Sequence, residues 1–347
     1  MDDQNSLSEI AKLKTRLQST HLPADLFEKA NQQIERISLS LKYGGNLSQL
    51  DITGKYIDWI GNLPWEVKTE DILDIKKAKE VLDKNHYGLE KIKKRVLEYL
   101  SLLILQKEKL NALSFHAPSL FFTGLVGTGK TTFAKSVAEA LGRKFVRIPF
   151  GGLSSALDLR GQSKTTPEAE PGMIIRSLRR AGSKNPVILL DELDRISPES
   201  RASIMGVLIE LLDPDQNLNF TDYFVDYPFD LTQVLFIATA NNTNNISTAV
   251  MDRLEIIQMP AYTDEEKIAI AKNYVLPRYM KESGLTPDNL KFEDAVWDKI
   301  ARPLGFDAGI RTLERTIEGI VRKVAYKIVN AEGTNFTINE NNLKEYL

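Results

Sequence analysis

Apolar positions follow helical spacing near the two ends of the chain and form short unbroken runs in its middle. Before residue 110 they recur every three or four positions, as at Ile10, Leu13 and Leu17, and this spacing predicts amphipathic helices. The apolar runs lie at 120–122, 187–190 and 234–239, and a short predicted strand that contains Arg147 lies at 145–148. Runs of this kind are typical of strands buried on both faces of a parallel sheet. We therefore predict an α/β domain flanked by helices.

Helical spacing returns after residue 263. It predicts helices at 264–274, 294–301 and 309–331, with one short β-like segment at 336–338. The expected organisation is an N-terminal helical bundle or adaptor at 1–70, an α/β subdomain at 71–261 and a C-terminal helical subdomain at 262–347. Trp59 and Trp65 in the first part could form a ligand platform, but we interpret them as core residues of a small bundle.

A glycine-rich run from Gly124 to Thr131 follows the first predicted strand and precedes a predicted helix. It matches the phosphate-binding pattern G-x-x-x-x-G-K-[ST], although an ordinary glycine-rich turn is the alternative. In such a loop, successive backbone N–H groups point at phosphate oxygens. Lys130 would contact the β- and γ-phosphates, and the Thr131 hydroxyl would bind Mg²⁺. The predicted nucleotide contacts of this run are Gly124, Leu125, Val126, Gly127, Thr128, Gly129, Lys130, Thr131 and Thr132.

Polar residues follow two of the apolar runs: Asp191 and Glu192 come after 187–190, and Asn241 comes after 234–239. Ligands of parallel sheets bind at the carboxyl ends of the strands. Asp191 could bind Mg²⁺ directly or through water, and Glu192 could polarise the attacking water. An acidic pair alone could also be a solvated helix start, but its sheet also carries the glycine-rich run. Asn241 could orient the same water against the γ-phosphate, or it could be a turn residue of an asparagine-rich cluster.

Two further features lie outside these strand ends. Arg253 follows Asn241 by twelve residues, and its guanidinium could stabilise phosphoryl-transfer charge in its own subunit or a neighbour's. An isolated arginine is more often a surface charge. Tyr87 and Gly88 precede the first strand, where nucleotide-binding folds often wall the adenine. We interpret the adjacent His86 as a cap or surface residue and not as a catalytic base.

Composition narrows the classes of partner and compartment. The 347 residues carry 45 basic and 47 acidic side chains without a long basic tract, so nucleic acid is not expected as an obligate partner. The absence of cysteine excludes disulfides and thiolate metal sites. The sequence begins with no signal or transit pattern, and no apolar stretch approaches the ~20 residues that span a bilayer. We expect a cytoplasmic protein without a membrane partner.

The polar residues above, together with Gly309, Ile310 and Arg311 at a predicted helix start, resemble the nucleotide-handling motifs of AAA+ ATPases. Within that class the chain is most similar to the ATPase module of the Lon protease family. The stretches that carry this similarity are 62–65, 86–91, 141–148, 211–217, 228–231 and 235–241. The resemblance extends from about residue 10 to residue 347.

This resemblance implies an ATP-driven protein unfoldase that binds ATP or ADP with Mg²⁺. It further implies a homo-oligomeric ring, usually a hexamer, that acts on unfolded or misfolded proteins. In such a ring Arg253 would act on the nucleotide of a neighbouring subunit, whereas Arg311 would sense the nucleotide of its own subunit.

The sequence departs from the family in two places. The family has a serine–lysine peptidase domain after the helical subdomain, and this sequence ends about where that domain would begin. In the loop at residues 160–172, the family carries an aromatic and then an aliphatic residue that grip substrate, whereas Thr166 and Pro167 stand here. Threonine offers less apolar area than an aromatic ring. A stand-alone remodelling or regulatory ATPase is therefore the alternative. A nucleic-acid motor is a third reading, and the near-neutral charge argues against it.

Overall fold

The computed structural model describes residues 2–43, 48–110, 118–166, 168–302 and 309–347. Three helices open the chain: α1 (Asp2–Gln18), α2 (Ala24–Lys42) and α3 (Ser48–Gly61). Their apolar faces share one core with Trp65, which is 9% exposed. The Trp65 ring packs edge-on against Tyr227, with ring centroids 5.7 Å apart. Trp65 is therefore a core residue, as the sequence predicted.

The central sheet is parallel and has five strands in the order β2-β3-β6-β1-β7. The strands of the described ranges are β1 (Ser119–Thr123), β2 (Phe145–Pro149), β3 (Val187–Asp191), β4 (Phe220–Asp222), β5 (Tyr227–Phe229), β6 (Leu235–Ala240), β7 (Leu254–Gln258), β8 (Leu290–Phe292) and β9 (Phe336–Ile338). The inner strands β1, β3 and β6 are buried along almost their whole length. The predicted parallel sheet is confirmed.

Some strands were not predicted from the sequence. β7 pairs with β1 at an edge of the sheet, and Glu255 interrupts its apolar residues, so it lacks an unbroken apolar run. β4 and β5 form a short antiparallel hairpin. In the C-terminal part, β8 pairs in parallel with β9. The expectation of a single β-like segment there was therefore incomplete, because it included β9 and missed β8.

The remaining helices of the described ranges, in chain order, are α4 (Ile75–Asn85), α5 (Glu90–Leu110), α6 (Lys130–Leu141), α7 (Leu157–Arg160), α8 (Met173–Ala181), α9 (Pro198–Leu212), α10 (Pro214–Asn217), α11 (Thr248–Met251), α12 (Asp264–Ile270), α13 (Leu276–Glu282), α14 (Trp297–Ala301), α15 (Arg311–Val329) and α16 (Leu343–Tyr346). The helix α6 packs against the sheet and against α4. None of the helices in the described ranges is both long and apolar enough to cross a membrane.

One C-terminal helix continues beyond its predicted end. A π-helical segment, Ala271–Val275, joins α12 to α13. The helical spacing predicted an end at residue 274, and Pro277 lies in the first turn of α13. Proline is tolerated in the first turn of a helix, and a π-turn absorbs the interrupted hydrogen bonding. The predicted helix at 309–331 is confirmed as α15.

Candidate functional site

A cavity lies at the carboxyl ends of β1, β3 and β6, between the first turns of α6 and α15. Its lining combines four segments that are distant in sequence. The lining residues are Val126, Gly127, Gly129, Lys130, Thr131, Thr132, Asp191, Glu192, Asn241, Ile310, Arg311 and Glu314. Because β1 pairs with β6 and β6 pairs with β3, their polar ends meet at one edge of the sheet.

The glycine-rich run forms the floor of this cavity. Gly129 precedes α6 with a φ of 89°, a conformation that side chains other than glycine rarely adopt, and it provides no side-chain cap. The first N–H groups of α6 are therefore left to an acceptor in the cavity, and an anion suits this position. The Tyr262 hydroxyl donates a hydrogen bond to the Thr128 carbonyl at 3.1 Å and braces the loop from outside.

The Lys130 ammonium lies at the centre of the site. It donates hydrogen bonds to the carbonyls of Gly124 and Leu125 at 2.7 and 2.8 Å, and to Asn241 Oδ1 at 3.2 Å. Burial lowers the pKa of Lys130, and the charge of Asp194 partly offsets this effect. Gly124 and Leu125 therefore contact Lys130 through their backbone carbonyls, and neither residue lines the cavity.

Asp191 is the buried carboxylate of the site, with a side chain that is 4% exposed. It accepts hydrogen bonds from the Thr239 hydroxyl and from Thr131 Oγ1, the latter at 3.4 Å from both oxygens. Arg147 Nε donates to Oδ2 at 2.5 Å. The two predicted metal ligands, Thr131 and Asp191, are thus adjacent.

This donor set fits magnesium bound together with a nucleotide. Mg²⁺ usually takes one or two protein oxygens and completes its shell with water and phosphate oxygens. Thr131 and Asp191 offer a hydroxyl and a carboxylate on the same side of the cavity. Within the described ranges, no group of three or more histidine, aspartate or glutamate side chains could hold a metal by itself. The site therefore suits a metal that arrives with phosphate.

Glu192 follows Asp191 in a left-handed backbone conformation, with a φ of 61°. Its N–H group donates to Thr239 Oγ1 at 3.0 Å. A non-glycine residue in this region stores backbone strain that its surroundings must compensate, and such residues cluster at functional sites. The hydroxyl of Thr239 therefore fixes both acidic residues, since it also bonds Asp191.

Asn241 is held by Asp194. The Asp194 carboxylate accepts hydrogen bonds from the Asn241 backbone N–H at 3.1 Å and from its Nδ2 at 3.2 Å. This contact directs Asn241 Oδ1 towards Lys130. The Asn241 side chain is therefore a fixed part of the cavity and not a free turn residue.

The first turn of α15 closes the opposite wall. The Ile310 N–H donates to the Gly127 carbonyl at 3.1 Å. A Cβ atom at Gly309 would lie 2.4 Å from the Val126 carbonyl oxygen, so only glycine permits this approach. Arg311 and Glu314 then face the cavity, and Glu314 pairs with Arg278 at 3.0 Å.

Other predicted site residues lie outside the lining. Arg253 pairs with Asp213 at 2.8 Å and also bonds the Ala249 carbonyl. Tyr87 and Gly88 do not line the cavity, and Tyr87 is 40% exposed.

The interpretation of His86 as a surface residue was wrong. The ring is 8% exposed and lies 2.9 Å from the Ser136 hydroxyl. His86 does end α4, as its interpretation as a cap proposed. Pro167 of the 160–172 loop lies outside the described residues.

Several residues of the site were not identified from the sequence. Asp194 comes two positions after Glu192, and Thr239 is a polar residue inside an apolar strand, so both left a weak signal. Glu314 lies one helical turn after Arg311. Tyr262 left no signal, because its contact with the loop depends on how the chain returns from β7.

Sequence comparisons agree with this geometry. The profile of the "ATPase family associated with various cellular activities (AAA)" matches residues 120–261, which include β1 to β7. The profile of the "Lon protease AAA+ ATPase lid domain" matches residues 281–336, which include α15. Residues 120–261 therefore form an AAA domain, and residues 281–336 carry the Lon type of lid. The AAA match begins at the strand that leads into the phosphate-binding loop.

Curated relatives with the name Lon protease align with almost the whole chain. The protein from Lawsonia intracellularis is 42% identical over 339 residues, which is 98% of this chain and 40% of the relative. The protein from Dictyoglomus thermophilum is 44% identical over 326 residues, which is 94% of this chain and 40% of the relative. The protein from Mycoplasma mycoides is 40% identical over 348 residues, which is 100% of this chain and 43% of the relative. The chain thus spans about 40% of their length and corresponds to their ATPase part.

Proposed function

We propose that this chain hydrolyses ATP with Mg²⁺ as the ATPase module of a Lon-like protease. The observation that carries this proposal is the convergence of Lys130, Asp191, Glu192 and Asn241 at the phosphate-binding loop of an AAA domain. The lid matched to the Lon family adds Arg311 to the same cavity.

Each side chain has a proposed part in phosphoryl transfer. The N–H groups of α6 and the Lys130 ammonium would bind and orient the phosphates. A bound magnesium ion would neutralise phosphate charge, and Thr131 and Asp191 would hold it. Glu192 would accept a proton from the attacking water, while Asn241 would orient that water. Arg311 would contact the nucleotide from the lid.

The proposed assembly is a ring, a hexamer by the family resemblance, in which Arg253 completes a neighbour's site. Arg253 lies outside its own cavity and is 29% exposed, which leaves it accessible to another subunit. The relatives are named as proteases. We therefore propose that ATP turnover unfolds and translocates protein substrates towards a peptidase domain of the full-length protein.

A mixing experiment tests both the reaction and the shared site. Glu192→Gln should bind ATP without turnover, because the proton acceptor is lost, and Arg253→Ala should also be inactive. In an equal mixture, a protomer with intact Glu192 can receive Arg253 from its Glu192→Gln neighbour. Random assembly should therefore restore roughly a quarter of the wild-type rate.

Steady-state ATP turnover measures this recovery, and each variant mixed with wild-type protein provides the control. Undiminished turnover by Glu192→Gln would contradict the role of Glu192. Inactivity of the mixture, with oligomers present by light scattering, would contradict the role of Arg253 in a neighbouring site.

A remodelling ATPase without translocation is the second candidate, and Thr166 supports it. This residue is exposed in the 160–172 loop, and it has no aromatic ring for contact with a substrate. An unfolded polypeptide should stimulate ATP turnover if the chain translocates protein. An ATP turnover rate that does not change when unfolded polypeptide is added would favour the remodelling function.

A further inference from the structure

Arg147 is a cation that contacts Asp191 of the nucleotide cavity, and no part of the proposed reaction uses it. It lies on β2, the edge strand of the sheet, between the buried residues Val146 and Ile148. The alternation of the strand leaves its side chain 48% exposed. Pro149, not Arg147, is the residue in register with Asp191. The arginine side chain therefore reaches along the strands to bring its Nε within 2.5 Å of Asp191 Oδ2.

Asp191 needs a positive partner because its carboxylate is almost fully buried. Burial of an unpaired charge is costly, so buried carboxylates are paired or bind metals. The Thr239 and Thr131 hydroxyls supply hydrogen bonds but no charge. The nearby Lys130 ammonium instead bonds two loop carbonyls and Asn241. Arg147 is thus the cation in hydrogen-bond contact with Asp191 in the described structure.

A magnesium ion held by Thr131 and Asp191 would supply the same compensation with two charges. A guanidinium hydrogen-bonded to the same carboxylate would then repel it at short range. Arg147 can relieve this repulsion by rotating into solvent, because half of its side chain is already exposed. Asp191, by contrast, is fixed by buried partners and cannot follow.

We propose that Arg147 competes with Mg²⁺ for Asp191 and thereby sets how strongly Mg²⁺ favours nucleotide binding. This inference rests on the proposed function, since it assumes that nucleotide and metal bind at this cavity. It assigns Arg147 a role as a positioning residue whose side chain leaves the carboxylate when the metal arrives.

The test is the factor by which Mg²⁺ tightens ADP binding. Calorimetry or fluorescence titration gives the ADP dissociation constant with excess Mg²⁺ and with EDTA. The constant in EDTA divided by the constant in Mg²⁺ measures the effect of the metal. In Arg147→Gln this ratio should increase about fivefold, at the low end of typical coupling between two ligands. Lys144→Gln is the matched control, because it removes an exposed cation just before the same strand. Its ratio should equal that of the wild type.

Each outcome discriminates. An unchanged ratio in Arg147→Gln would overturn the competition. A reduced ratio would also overturn it, because Arg147 would then hold Asp191 in place for the metal. If wild-type protein binds no ADP under either condition, the proposed function itself fails. Measurable ADP binding by Arg147→Gln in EDTA shows that the phosphate-binding loop is intact. Arg147→Lys should give an intermediate ratio, because it keeps the charge but loses the planar Nε contact.

Discussion

The segments that precede the sheet are attached to the α/β domain in two contrasting ways. The linker after α3 is held by buried polar groups. Arg143 donates two hydrogen bonds to the Asp71 carboxylate, at 2.7 and 2.8 Å, and the two side chains are 2% and 3% exposed. Asn185 Nδ2 bonds the same carboxylate at 3.2 Å. This attachment is a closed network inside the protein.

The helical bundle shares an apolar core with the α/β domain, and its ion pairs to that domain are made by exposed side chains. Lys29 pairs with Asp226 of the β4–β5 hairpin at 3.1 Å, and Lys55 pairs with Glu170 of the 160–172 loop at 3.3 Å. All four side chains are at least 39% exposed. Lys55 also donates to the Ala169 carbonyl at 2.8 Å.

The difference has a physical consequence. Removing one partner of a buried ion pair leaves an uncompensated charge, whereas exposed pairs are screened by water and salt. The buried network should therefore be costly to break, whereas the exposed ion pairs to the hairpin and to the 160–172 loop should be lost at low cost. In the nucleotide cavity, Asp191 resembles the buried class, since its carboxylate is 4% exposed and held by several partners.

The largest expected effect comes from breaking the buried network. Arg143→Ala should lower the free energy of unfolding by about 3–5 kcal/mol, because Asp71 stays buried without its partner. Chemical denaturation measures the change, and Arg36→Ala, an exposed arginine on α2, is the control. A decrease in the free energy of unfolding below about 1 kcal/mol would show that the Asp71–Arg143 pair contributes no more than an exposed ion pair.

The second prediction tests burial through pH. Burial lowers the pKa of His86 from 6.5 to about 4, so the unfolded chain binds a proton more readily than the folded protein does. The stability contributed by neutral His86 is complete above pH 6.5 and is lost as the pH falls towards 4. The loss is on the order of 3 kcal/mol. His86→Gln should remove this slope, whereas exposed His21→Gln should keep it. An unchanged slope in His86→Gln would assign the acid sensitivity to other groups.

The smallest expected effect concerns the exposed attachment. Lys55→Ala should change the free energy of unfolding by only about 0.5 kcal/mol. It should nevertheless speed hydrogen exchange in residues 161–171, because the loop loses its contact with α3. High salt should weaken the Lys55–Glu170 pair of the wild type and move its exchange in the same direction. Lys29→Ala is the control, because Lys29 contacts the hairpin. Equal hydrogen exchange of the loop in both variants would contradict a specific role of Lys55 in holding the loop.

The sequence predicted the central elements and the chemistry of the site because both rest on local patterns. Unbroken apolar runs identified the inner strands, and Lys130 and Thr131 were identified by a motif whose backbone geometry is local. Strand β7 was missed because Glu255 interrupts its apolar residues Leu254, Ile256 and Ile257. The adenine wall at Tyr87 and the shared site at Arg253 stay predictions. Neither residue lines the cavity of its own chain.

By itself, the sequence determined a glycine-rich loop with the phosphate-binding pattern, an acidic strand end and a C-terminal helical region, because residue type and spacing specify each of these. Only the tertiary structure decided their partners. It paired Asp194 with Asn241, Thr239 with both acidic residues, and Arg147 with Asp191. These contacts depend on the register of parallel strands that are far apart in sequence, and no local pattern encodes that register.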